Sequence, residues 1–171
     1  GYSNRPSQRR AKKSNTHPDI IVRYVFQYRF PDIEEAFARN IESAHSILMT
    51  IENLVGDLLE EYLSISLQQA GWYCCWGSTI DAVDFCKQDG TLLQVKNSDN
   101  SENSSSSRVR AGTTIKKWAR RKSTKPNEYY WKDLQEITGV LNITEENFNA
   151  FVKQTIQNNP NCLNAAINFF E

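Results

Sequence analysis

No apolar run in this 171-residue chain approaches the ~20 residues that a membrane-crossing helix needs. Its opening residues lack the charged-then-apolar pattern of a secretory signal. A soluble, intracellular protein is therefore expected. The four cysteines, Cys74, Cys75, Cys86 and Cys162, form no Cys-x-x-Cys pair, and no histidine stands at zinc-finger spacing. Disulfide and zinc frameworks are thereby disfavoured, and reduced thiols in a core are expected. Net charge is also lacking: 20 Lys and Arg balance 20 Asp and Glu.

Neutrality hides an uneven distribution. Arg5, Arg9, Arg10, Lys12 and Lys13 form one basic block, and Arg108, Arg110, Lys116, Lys117, Arg120, Arg121, Lys122 and Lys125 form another. Neither block contains an acid. Between Asp32 and Glu61, by contrast, eight acids share the chain with a single arginine, Arg39. A neutral protein of this kind can still present a cationic cleft to phosphates, because binding follows the local field.

With 39% hydrophobic residues the chain can bury a real core. Residues 1–16, polar, basic and without periodicity, read as a flexible basic arm unless DNA or another element orders it. Residues 17–171 read as one domain. Ile20 to Phe30 mixes β-branched and aromatic residues and reads as a strand or extended packing segment. Pro31-Asp32 followed by Glu35 reads as a helix start with a carboxylate cap. From Ser46 to Ala70 apolar residues recur at helical spacing, the strongest helix in the sequence, and Gly71 ends it. Trp72 to Trp76 is a short β-rich run. Trp131 to Thr138 and Thr144 to Asn158 read as amphipathic helices, the second capped by Thr144.

The stretch Ile80 to Asn97 carries the chemistry. Two β-rich runs flank Gln88-Asp89-Gly90, a three-residue loop with Gly where a left-handed backbone is wanted. If Lys87 faces Thr91, Asp84 falls opposite Gln94, and alternation puts Lys96 on the same face as Gln94. A carboxylate and an amide oxygen offer hard ligands for Mg²⁺. A neighbouring ammonium can orient an attacking water and stabilise charge on a phosphate. Asp81 is the reserve acid, since a longer turn would set it opposite Lys96. On the preceding helix, Glu52 lies on the flank of the apolar stripe and can look into a site. Glu60 and Glu61 lie nearly opposite its centre, and Glu60 reads as a solvated acid.

Asp84 followed by Gln94-Val95-Lys96 resembles the PD-(D/E)xK nuclease signature in its Q-x-K variant. Gln stands where an Asp or Glu is usual, and no Pro precedes the Asp, so the site needs a further carboxylate. Gly56-Asp-Leu-Leu-Glu60 is similar to the G-x-x-x-E helix of many relatives, which favours Glu60 where the stripe favours Glu52. The order helix, strand, strand, strand is that of the nuclease core.

After Lys96 comes a polar stretch, Asn97 to Ser107, leading into Arg108-Val-Arg110-Ala-Gly-Thr-Thr114. Asn97, Asn103, Ser104, Ser105, Ser106 and Ser107 are candidates for contacts to phosphates and base edges, as is Thr113. Arg108 and Arg110 are candidates for bidentate contacts to guanine, or for phosphate contacts. Ile115 to Lys122 reads as a short basic helix, with Lys116, Lys117, Arg120 and Arg121 offered to DNA. Residues 97–126 thus form an expected DNA-recognition segment.

The run from Gln94 to Trp118, with Trp131 and Leu134, resembles type II restriction endonucleases of the SinI and AvaII kind. The resemblance implies an α/β (α+β) restriction-endonuclease-like core, a small mixed sheet flanked by helices. It further implies Mg²⁺-dependent cleavage of double-stranded DNA at a short, near-palindromic G·C-rich site of the GGWCC or GGNCC type, by a homodimer in a prokaryotic cytoplasm. Asp84, Gln94 and Glu52 would hold the metal, with Lys96, Glu60 and Asp81 completing the catalytic set. A repair or junction-resolving nuclease of the same superfamily, a catalytically inactive DNA-binding domain and a metal-free interaction domain are the alternatives.

Overall fold

The computed structural model describes residues 5–10, 20–32, 34–75, 83–99, 114–125 and 127–163. A single helix dominates it. α2 (Glu35–Leu67) is 33 residues long and preceded by α1 (Ile20–Arg29). A 3-10 turn, Gln68–Ala70, then ends on Gly71, whose φ of 78° supplies the left-handed conformation. Then come β1 (Trp72–Cys74), β2 (Phe85–Lys87), β3 (Leu92–Ser98), β4 (Ile115–Arg121), α3 (Trp131–Thr138) and α4 (Glu145–Asn158).

The four strands form one mixed sheet in sequence order, antiparallel from β1 to β3 and parallel between β3 and β4. With its flanking helices this is the α+β architecture expected. One face of the sheet lies on α2, where Leu59, Tyr62, Leu63 and Leu67 meet Trp72, Phe85, Leu93, Val95 and Trp118. Trp131, Leu134 and Phe148 from α3 and α4 close the same core. A smaller cluster of Leu54, Leu58 and Cys162 covers another side of α2. The second half of the helix is therefore enclosed by packing on two sides, and burial, more than propensity, holds it.

Four local expectations are corrected. Ile20–Arg29 is helical, not extended: no described strand lies beside it, so its backbone bonds internally, and Phe26 and Phe30 meet one turn apart with centroids at 5.2 Å. α2 starts at Glu35, and Glu34, its cap residue, makes no side-chain capping bond, so Asp32 is not the cap. Ile115–Arg121 is a strand, because β3 offers a parallel partner over its whole length and that pairing overrides the local helical pattern. Finally, residues 5–10 of the expected arm are held. Pro6 is buried, and Ser7 donates to the Glu61 carboxylate from its N–H at 2.8 Å and its hydroxyl at 2.6 Å.

Candidate active site

Hairpin geometry places the first elements of the site. Lys87 N–H donates to the Thr91 carbonyl at 2.8 Å, and Gly90 takes φ of 87° in the turn. Facing pairs are Phe85 with Leu93 and Cys86 with Leu92, and the next step of that register sets Asp84 across from Gln94. The Asp84 carboxylate accepts the Val95 N–H at 2.6 Å, which ties it to the strand carrying Gln94 and Lys96. Leu93 and Val95 face the core, so Gln94 and Lys96 share the other face. Gln94 is 6% exposed, and its Oε1 is buried without a hydrogen-bond partner. An orphaned acceptor costs stability unless something binds it.

The helix acids separate sharply. Glu60 is half-buried near Asp84 and Asp57; burial first, then those two carboxylates, push its carboxyl up to about 7, against the pull of Arg9. Asp84 is raised as well, by burial, with the Val95 N–H and the Lys96 ammonium working the other way. Glu52 is exposed and lies two helical turns away, about 12 Å along the axis at 1.5 Å per residue. Glu60 and not Glu52 therefore joins the hairpin. Glu60, expected to be solvated, is thus half-buried, and Glu61 beside it is 2% exposed beneath Ser7.

This donor set suits a divalent cation. A buried carboxyl whose proton affinity a neighbouring carboxylate raises gains from a nearby positive ion, and the Gln94 oxygen has no competing partner. Among the described residues no three His, Cys, Asp or Glu side chains group closely enough to hold a metal ion by themselves.

The candidate DNA contacts divide into three groups. Lys116 and Lys117 are exposed on β4, and parallel register sets Lys117 beside Gln94 and Arg121 beside Ser98. Arg120 is instead 8% exposed and spent internally: its Nη1 donates to Glu145 at 2.6 Å and its Nε to Asn97 Oδ1 at 2.9 Å, between the rings of Tyr129 and Phe148. Asp81, Asn103, Ser104, Ser105, Ser106, Ser107, Arg108, Arg110 and Thr113 lie outside the described residues.

Sequence reasoning missed several neighbours. Cys74, Cys75 and Cys86 gather beside the acids; burial, then Glu60, pushes the Cys74 thiol up to about 12, and burial, then the Cys86 thiol hydrogen-bonded to it, pushes Cys75 up to about 11. The pairing of β1 with β2 brings them there, a contact that no spacing rule in the chain announces. Arg9, paired with Asp57 at 2.8 Å, reaches the site from the N-terminal segment. A cleft of about 310 Å³ opens between α2 and the ends of β3 and β4, walled by Ile51, Val55 and Glu52 on one side and Asn97, Arg121, Asn127 and Tyr129 on the other.

Comparison with known proteins adds a family. A family model described as SinI restriction endonuclease matches residues 2–158. The chain is 42% identical over 150 residues to the type II restriction enzyme Eco47I of Escherichia coli, covering 85% of this chain and 64% of that enzyme. It is 40% identical over 147 residues to the type II restriction enzyme SinI of Salmonella infantis, covering 83% and 63%. The chain thus spans somewhat under two thirds of the length of these relatives.

Proposed function

Because the chain belongs to the SinI restriction endonuclease family, we propose that it hydrolyses phosphodiester bonds in double-stranded DNA at a specific short site. The observation that supports this reading is the tie of Asp84 to the strand of Gln94 and Lys96, with Glu60 near Asp84 and the Gln94 oxygen without a partner. Asp84, Glu60 and Gln94 would hold a divalent cation, for which Mg²⁺ fits the hard oxygen donors. Such an ion supplies Lewis acidity at the phosphate and stabilises charge on the departing 3′ oxygen.

The protein's own groups do the rest. Lys96 orients the attacking water and offsets negative charge as it builds on the phosphate. Lys117, beside Gln94, extends positive charge along the same face for the DNA backbone. Arg108 and Arg110 take the base-reading role at a G·C-rich near-palindrome, and two copies of the chain act together so that both strands are cut.

Incubation of supercoiled plasmid with Mg²⁺, followed by end mapping, tests this. Discrete ends at one repeated sequence, abolished by Lys96→Ala, are expected. Tight binding by the wild-type chain with no nicking at any divalent ion would leave a DNA-binding domain without catalysis. Cleavage at junctions or damaged sites without sequence preference would point to a repair nuclease.

A further inference from the structure

The cleft at the carboxyl ends of β3 and β4 lies outside the catalytic set. Its lining is chemically specific. Glu52 is exposed on α2, and among the described residues no hydrogen bond or ion pair engages the side chains of Glu52, Arg121 or Asn127. Asn97 spends its Oδ1 on Arg120, which leaves its amide hydrogens for another partner. Tyr129 is 40% exposed, and the Arg120 guanidinium lies 5.1 Å from its ring centroid, which braces the ring from within. Asn127 holds a left-handed φ of 64°, which fixes the turn that carries its amide to the cleft.

One acceptor, several donors, an aromatic face and an aliphatic wall suit a flat ligand with polar edges. A phosphate alone fits poorly, since the Glu52 carboxylate would repel it. The volume, about 310 Å³, is at the low end of the range for small-ligand sites. The position is also telling: Asn97 directly follows Lys96, so the cleft adjoins the strand that meets the scissile phosphate. A base still stacked in a duplex cannot enter a recess between a helix and a sheet end.

From this geometry we infer that the cleft receives one nucleobase, unstacked from the bound DNA, with Tyr129 as its stacking platform and Glu52 accepting from an exocyclic amine. Glu52 then selects an amino-bearing base, as carboxylates do at cytosine N4. Arg121 and Asn127 supply donors at its other edge. This inference rests on the nuclease reading above for the DNA but not for the chemistry of cleavage.

The test uses duplexes bearing the sequence that the chain binds most tightly, with 2-aminopurine placed at each position in turn, bound by the Lys96→Ala chain. Fluorescence at one position should rise several-fold on binding, and a mismatch there should tighten binding about tenfold, because the pairing that must be broken is already absent. Tyr129→Ala and Glu52→Ala, each in the Lys96→Ala background, should remove both effects. Wild-type protein that cuts its site while no position brightens would overturn the inference and leave the nuclease standing. Brightening that survives both substitutions would also overturn it. Brightening at one position by a wild-type protein that never cuts would keep the cleft and sink the nuclease.

Discussion

Gln94 is the residue on which the site turns. A neutral amide in place of a carboxylate lowers the negative charge available to a cation, and the structure compensates by bringing Glu60 beside Asp84. Lys96→Ala should lower cleavage by about 10²–10⁴-fold with DNA affinity largely kept, the range for losing one positioned acid–base or orienting group, read from single-turnover rates and filter binding. Glu60 makes a separable prediction about stability. Its carboxyl is raised in the folded state from 4.5 to about 7, so the fold binds a proton that the unfolded chain releases. Stability from this group is therefore fully present below about pH 4.5 and lost as pH rises through 7. In chelator-treated buffer Glu60→Gln should raise the unfolding free energy at pH 8 by at most about 3 kcal/mol and change it little at pH 4.5, read from denaturant unfolding. An equal effect at both pH values would show that Glu60 is not perturbed by Asp84 and burial.

At the scale of elements, β4 and the N-terminal segment depart furthest from their local sequence. β4 was legible as basic but not as a strand. Trp118 and Arg120 point inward, and Arg120 closes a network in which Trp131 Nε1 also donates to Glu145 at 2.7 Å. Arg120→Ala leaves the Glu145 carboxylate without its cation, so a loss of about 3–5 kcal/mol is expected from denaturant unfolding, well beyond any effect of an exposed lysine. Lys116→Ala is the control and should leave stability within about 0.5 kcal/mol. Docking of Pro6–Gln8 is equally specific. Glu61 accepts both Ser7 donors, and Asn159 reaches the Ser7 carbonyl at 3.1 Å, so one short turn bridges α2 and the segment after α4. Glu61→Ala should cost about 1–3 kcal/mol and expose residues 5–10 to limited proteolysis. Unchanged digestion would show that the turn is held by packing alone.

For the whole molecule, charge balance conceals a polarised surface. Duplex binding should weaken steeply with salt, with log K falling against log salt in proportion to the phosphates contacted. Removing Lys117 should reduce that slope by about one. A flat salt response would favour the metal-free interaction domain.

Much of this protein was fixed by local sequence. The apolar period of α2 and its Gly71 stop, the Gln88-Asp89-Gly90 turn, α3, and α4 with Thr144 accepting from the Asn147 N–H are where short-range pattern placed them. The pairing of Asp84 with Gln94 belongs here too, since a three-residue loop sets its own register. Tertiary structure decided the rest. The sequence pattern put Glu52 narrowly ahead of Glu60 and read Glu60 as solvated, because helical periodicity reports one apolar face and not what covers the others. Ser7 and Cys162, each remote in sequence, cover them. Likewise β4 became a strand through a parallel neighbour some twenty residues away, and Arg120 turned inward with it. Turns and periodicity act within a few residues and can be read from the chain. Burial is set by whichever segments arrive from elsewhere, and it alone chose which acid stands beside Asp84.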